Sequence, residues 1–329
     1  MDGHSLLDLP FDQYQRYGII REIVEILNPL DGPILDVGGY SRLASGEDFL
    51  LLQKFLPGLD VVVLDQLACR QAGYLQGDGL ALPFADASFP VVISVDTLEH
   101  VPPQDRPRFW KELLRVSRDY LILAAPFNDD QVVLAERLTY EFTMLVLGVG
   151  HPQIGEHIAN GLPDLPESHH VLTNAGWCAV EIPNGYIYNW LLMMALYNYL
   201  LSIPGAASLN KMVSRFYNSS FFEKDNRAPA YRRMLVAACC ENGQAILERV
   251  RARFADAATS DPGEAQTRLA LFQLLMQAIA LKLQNQALQE KEQEIAALRG
   301  LLKRYEQGRF IRAMAWLDTL KRRLFGSRG

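Results

Sequence analysis

Apolar positions along the chain follow a helical rhythm first and a strand rhythm next. Residues 13 to 28 ("QYQRYGIIREIVEILN") set Ile19, Ile20, Ile23, Ile26 and Leu27 at helical spacing, and the run stops before Pro29. Short runs rich in β-branched residues follow: "PILDV" (33 to 37), "VVVLD" (61 to 65), "VVISVD" (91 to 96) and "YLILAAP" (120 to 126). Helical patterns such as "RFWKELLRVS" lie between some of them. Continuous apolar strands that alternate with helices predict an α/β fold, a mostly parallel sheet covered on both faces.

Beyond Pro126 the rhythm changes. "QVVLAERLTYEFTMLVLGVG" reads as a helix, a Pro-, Gly- and His-rich loop is expected up to Pro166, and a further helix ends at Gly176. "WCAVEIP" and "RRMLVAACC" read as a last pair of strands around a helical insert containing "YIYNWLLMMALYNYLLSIP". Asn189 and Asn198 interrupt that insert, which falls short of the roughly 20 clean apolar residues a membrane span needs. It is expected to be buried or to line a cavity. The pattern divides the chain into a body over 1–254 with insertions at about 127–176 and 186–228, a linker over 255–263, a helix over 264–308 and a tail over 309–329. In the helix, Leu274, Leu281, Leu288, Ile295 and Leu302 recur every seven residues, while Ala278, Asn285, Glu292 and Arg299 form a polar second stripe. The spacing suits either a weak coiled-coil homodimer or a solvated single helix.

Charge and composition sharpen this picture. With 49% hydrophobic and 21% charged residues, the 329-residue chain can bury one large core. Its net charge is −6, yet the segment from Lys303 onward carries +6, so the residues before it carry −12. An acidic body argues against nucleic acid as a partner and marks the tail as a separate contact surface. The first residues, "MDGHSLLDLPFDQ", lack a basic and then apolar leader, so a cytoplasmic location is expected. Cys69, Cys178, Cys239 and Cys240 show no C-x-x-C spacing and are expected to be buried thiols, with no zinc site or disulfide framework.

The turn "DVGGYSRLASG" holds neither G-x-G-x-x-G nor a phosphate-cradling G-x-x-x-x-G-K-S. Asp36 precedes its glycines, Asp65 closes the next strand, and "GDGLALPFADASF" and "VDTLEHVPPQDRPRFWKELLRVSRDYLILAAP" follow. This order resembles the class I S-adenosylmethionine-dependent methyltransferases, in particular the type 11 group that includes the ubiquinone and menaquinone biosynthesis enzymes. The likeness runs from Ile34 to about Pro126. It implies a Rossmann-like sheet of seven strands and S-adenosyl-L-methionine as cofactor. Gly38 and Gly39 would pass the backbone close to the methionyl and ribose portion, and Asp65 would accept from both ribose hydroxyls. Asp78, followed by Gly79, would contact the adenine amino group, and Leu80 would pack on the ring. Asp36, Asp96 and Glu99 complete the cofactor-side set. Where the family often carries Gly-x-Gly, this chain has Gly39, Tyr40 and Ser41, which places a bulky tyrosine at the cleft.

Catalysis by such a fold needs alignment more than a dedicated base. His100 either takes a proton from an acceptor hydroxyl or, with Glu99, caps the turn and helix. No interval among His151, Glu156, His157, Glu167, His169 and His170 matches a metal helix, so no metal is expected; Glu167 or Ser168 would start a helix, and His151 and His157 would sit in an acceptor-side loop. The acceptor is expected to be a small molecule or a glycan. The tail "YEQGRFIRAMAWLDTLKRRLFG" resembles segments of bacterial cell-surface polysaccharide enzymes, which favours a sugar hydroxyl. A quinone or lipid-like acceptor and a non-catalytic scaffold are the alternatives. Phe310, Ala313, Met314, Leu317, Leu320 and Leu324 share one face of the tail, suited either to peripheral contact with the inner face of a membrane or to a protein partner.

Overall fold

A computed structural model describes residues 5–28, 32–42, 48–255 and 262–325. Seven strands form one sheet: β1 (Ile34–Val37), β2 (Val61–Asp65), β3 (Tyr74–Gln76), β4 (Phe89–Val95), β5 (Ser117–Ala125), β6 (Cys178–Tyr186) and β7 (Ala230–Ala238). Their order is β3-β2-β1-β4-β5-β7-β6. Pairing is parallel from β3 through to β5, whereas β7 runs antiparallel to both β5 and β6. This is the Rossmann-like seven-stranded sheet. The order reverses between β1 and β4, so a crevice opens beyond their carboxyl ends, where open α/β sheets bind ligands.

Alternate residues of each central strand feed two cores. Ile34, Val91, Ile93, Ile122 and Val236 face Ile19, Ile20 and Ile23 of α1 (Phe11–Leu27), Leu51 and Phe55 of α2 (Leu51–Phe55), and Leu247 and Val250 of a late helix (Gly243–Phe254). Leu35, Val92, Leu121, Leu123 and Leu235 face the opposite way, onto Phe109, Trp110 and Leu113 of α3 (Arg106–Val116). Burial on both faces is why these strands read as unbroken apolar runs. A small antiparallel hairpin, Tyr40–Arg42 with Asp48–Leu50, follows β1, a feature the short polar sequence there did not announce.

The insertions are helical. α4 (Asp130–Leu147) packs against α7 (Ile187–Leu201), and α8 (Ala207–Ser220) rests on α1 and α7. The expected loop before Pro166 is instead interrupted by α5 (Pro152–Asn160), which starts with Pro152 in its first turn under a His151 cap and ends at Gly161 with φ 69°. His157 is therefore a helix residue and His151 a cap. α6 (Leu165–Asn174) starts at Asp164, whose carboxylate accepts from the Glu167 N–H at 2.8 Å, so Ser168, His169 and His170 fall in the first turns as expected. The thiols differ from expectation: Cys178 and Cys239 are exposed and Cys69 and Cys240 half-buried, because they stand at strand ends and beyond them rather than within the sheet.

The chain divides into two compact units, 1–269 and 270–329. A single helix spans Pro262–Glu306, and another spans Arg309–Phe325. Most of the linker expected over 255–263 lies outside the described residues. No helix among the described residues is long and apolar enough to cross a membrane.

One residue of the central sheet breaks its apolar rule. Asp36 of β1 is wholly buried, with no hydrogen-bonding partner for either oxygen among the described residues. Gly39 lies directly over it, and a Cβ there would collide with the carboxylate. Burial first, then the charge of Asp65, opposed by Arg16, pushes the Asp36 carboxyl up to about 7. The folded protein thus keeps this proton to about neutral pH, whereas the unfolded chain releases it near pH 4. The folded state is penalised as pH rises through that window. Asp36→Asn should therefore leave stability near pH 4 unchanged and raise it at pH 8, by on the order of 1–4 kcal/mol in urea unfolding. Equal effects at both pH values would mean that Asp36 is not held protonated.

Candidate active site

Beyond the sheet reversal lies a cavity of about 410 Å³. β1 delivers Gly38, β4 delivers Val95 and Asp96, and the turn after β4 delivers Glu99 and His100. α1 adds Asp12, Gln13, Arg16 and Tyr17; α5 adds Ile154 and His157; α7 adds Trp190, Met194 and Tyr197; and β7 adds Tyr231 and Arg232. The insert expected to line a cavity does so.

Gly38 has φ +84°, and a Cβ there would collide with Thr97 Oγ1, so the turn after β1 admits only glycine without rearrangement. Asp65 ends β2, with Oδ2 accepting from the Tyr40 N–H at 3.3 Å and Oδ1 from the Leu67 N–H at 3.2 Å. These two bonds orient its carboxylate beside Leu67, a lining residue. Asp78 is exposed, its Oδ1 accepting from the Leu80 N–H at 2.9 Å. Gly79 packs under Phe109, whose ring a Cβ would meet at 2.7 Å. Of the residues singled out in the sequence, Gly38, Tyr40, Ser41, Asp96, Glu99, His100, His151 and His157 line the cavity; Asp36, Gly39, Asp65, Asp78, Gly79 and Leu80 stand outside its wall along the same carboxyl edge.

Asp96 is committed to other side chains. Its φ of +47° turns the carboxylate off the strand end toward α1 and β7. Oδ1 accepts from Arg232 Nε at 2.6 Å and Oδ2 from Arg16 Nη1 at 2.5 Å. Arg232, only 2% exposed, also donates from Nη2 to both oxygens of Asp12 at 2.7 and 2.9 Å, and Asp12 accepts from Trp190 Nε1 at 2.9 Å. Burial alone would raise the Asp96 carboxyl, but Arg232 and Arg16 outweigh it and hold the group well below the usual carboxylate range.

A second network adjoins the first at Trp190. Trp190 stacks on Tyr231 with ring centroids 3.6 Å apart, and the Tyr231 hydroxyl donates to Glu136 Oε1 at 2.9 Å. Glu136 also meets His157 Nδ1 at 2.7 Å, His157 Nε2 lies 3.3 Å from His100 Nε2, and His100 Nδ1 lies 2.7 Å from Glu156 Oε2. Burial, then the neighbouring His157, holds His100 below its ordinary range against the opposing pull of Glu156. Glu99 is fully buried and pushed well above the usual carboxylate range, by burial first and then by the Asp96 charge.

Sequence reasoning missed Asp12, Arg16, Glu136, Tyr231 and Arg232. The signal available was a charge inside an apolar run: Arg232 opens "RRMLVAA", and Glu136 sits within the apolar helix "QVVLAERLTYEF". Removing one member of a buried ion pair is costly because the remaining charge is stranded. Arg232→Met should lower stability at pH 7 by about 3–5 kcal/mol. A depressed carboxyl contributes stability that is present above its unfolded value near 4 and is lost as pH falls through the folded value. The difference between wild type and variant should thus shrink as pH drops below 4; a difference that stays constant down to pH 3 would rule out the pair as its cause.

Comparison with known proteins adds a family to this geometry. Residues 59–122 match a family model described as a methyltransferase domain. A protein of Encephalitozoon cuniculi, provisionally named a methyltransferase, is 30% identical over 109 residues, which is 32% of this chain and 49% of that relative, so the match spans about half of it. Among solved structures, the Synechocystis magnesium protoporphyrin IX methyltransferase with bound SAH aligns at 13% identity, over 73% of this chain and 90% of that one, with a TM-score of 0.42. A SAM-dependent methyltransferase from Archaeoglobus fulgidus aligns at 13% identity, over 68% and 94%, with a TM-score of 0.39. Asp65, Asp78, Asp96, Glu99 and His100 all lie within the stretch that matches the methyltransferase-domain model.

Proposed function

We propose that the protein binds S-adenosylmethionine along the carboxyl edge of β1, β2 and β4 and transfers its methyl group to a hydroxyl of a small-molecule or glycan acceptor held in the cavity. The family match over residues 59–122 carries this reading. The site fits such a cofactor: Gly38 lets the backbone turn at φ +84° where any side chain would collide with Thr97, and Asp65 presents a carboxylate oriented by two backbone N–H groups. Bound there, S-adenosylmethionine supplies an already activated methyl group. Asp65 would accept from the ribose, Asp78 from the adenine amino group, and Gly38 and Gly39 would admit the methionyl chain beside Tyr40. His100 is the residue assigned to the acceptor hydroxyl. The carboxylates, imidazoles and guanidinium groups on the cavity wall suit a hydroxylated acceptor, such as a sugar of a bacterial surface polysaccharide, better than a quinone.

The C-terminal helices are proposed to serve assembly and placement. Leu288, Ile295 and Leu302 are exposed at seven-residue intervals, and Phe310, Met314, Leu317 and Leu324 are exposed on the last helix. The first stripe suits a homodimer, the second a membrane surface or a protein partner at the inner face of the membrane. Replacing Leu288, Ile295 and Leu302 with lysine should convert a sedimenting dimer to a monomer; an unchanged mass would remove the coiled coil.

Loss of the Asp65 hydrogen bonds should be visible in cofactor affinity. Asp65→Ala should weaken S-adenosylmethionine and S-adenosylhomocysteine binding by roughly tenfold to a hundredfold in calorimetry, the range for one or two charge-assisted bonds. Wild-type protein that is folded yet gives no heat with either form would overturn the cofactor assignment.

A further inference from the structure

We propose that Glu99, His100 and His157 bind a divalent transition-metal cation in the wall of the acceptor cavity. One ligand atom from each of the three lies within 4.8 Å of the other two, and all three residues line the cavity. Proximity alone would not carry this; hydrogen bonding does. A carboxylate only accepts, so the Nδ1 atoms of His100 and His157, each 2.7 Å from a glutamate oxygen, carry the ring protons. Both Nε2 atoms then carry lone pairs, and they lie 3.3 Å apart in rings tilted by 59°. Two lone pairs at that distance call for a positive centre between them, either a shared proton or a metal ion.

Glu99 decides between these. Its side chain is fully buried, and its oxygens have no partner beyond its own backbone N–H among the described residues. A proton shared by the two rings would leave that carboxyl unmatched; a cation takes it as a third ligand. Metal–nitrogen bonds of about 2.0–2.1 Å at a tetrahedral angle put two nitrogens about 3.3 Å apart, the observed separation. The two outer glutamates complete the pattern of metal-bound histidine, in which the far ring N–H is held by a carboxylate. Glu136 is itself fixed by the Tyr231 hydroxyl. Two imidazoles with one carboxylate favour zinc, iron, cobalt or nickel over magnesium or calcium. Because all three residues line the cavity, an ion held there would be open to an acceptor hydroxyl and would make it more acidic. His100 then acts on the acceptor through the metal. That role rests on the methyl-transfer reading; the binding of the ion does not.

Cobalt(II) alone serves as the probe, because its visible absorption reports coordination. Full-length protein stripped with a chelator should take up one equivalent of Co²⁺, with an intense visible band of tetrahedral nitrogen–oxygen coordination, displaced by Zn²⁺. Glu99→Gln and His157→Gln should abolish the band, and Glu136→Gln should weaken uptake by about 10–100-fold. Asp65→Ala should leave the band unchanged, which separates this site from cofactor binding. Folding of each variant is checked by circular dichroism. A folded wild type with no band, or folded Glu99 and His157 variants that retain it, would overturn the site.

Discussion

The ion pair between Asp96 and Arg232 fixes the cavity. Asp96 is the first residue past β4, and its N–H still donates to Ala124 at 2.9 Å, so the backbone continues the sheet ladder while the side chain leaves it. The carboxylate draws Arg16 from α1 and Arg232 from β7, and Arg232 in turn draws Asp12, which holds Trp190 of α7. Four elements distant in sequence are thereby set around one point. Two cations and two anions cancel, which is the condition under which charges can be buried at all. Apolar residues in their place would be as stable or more so, and the reason for the charges is the shape and polarity they give the cavity wall.

Across the stacked Trp190 and Tyr231 rings the balance is different. Glu99, Glu136 and Glu156 face two histidines and no lysine or arginine bonded to them among the described residues. The ion-pair cluster balances two cations against two anions, whereas the second cluster pairs carboxyl groups with imidazoles alone. Within it the buried Glu99 oxygens have no side-chain partner among the described residues, and a buried polar group without a partner is costly.

The sheet was legible in the sequence because its central strands are buried on both faces, which leaves unbroken apolar runs such as "VVISV" and "YLILAA". The turn residues Gly38 and Asp65 were legible because their backbone placement follows from strand ends. Residues whose meaning depends on a distant partner were not. His100 and His157 are 57 positions apart, and Asp12 and Arg232 are 220 apart, so no spacing rule links them. α5 was hidden for a local reason: nine residues bounded by glycine and proline resemble a loop until His151 and Pro152 are seen to start a helix.

The hidden residues lie outside the stretch that matches a known family. The family match covers residues 59–122, which supply Asp65, Asp78, Asp96, Glu99 and His100. Asp12, Arg16, Glu136, His157, Trp190, Tyr231 and Arg232 all lie outside it, on the first helix, the insertions and the last strand. The matched stretch carries strand ends and turns whose order can be read directly along the chain, so its candidate residues stood out. The residues outside it meet the stretch only across the fold, where Asp96 joins Arg16 and Arg232 and His100 joins His157. The cavity wall is therefore assembled from both, since the ion-pair cluster and the histidine–glutamate cluster each combine residues of the matched stretch with residues beyond it.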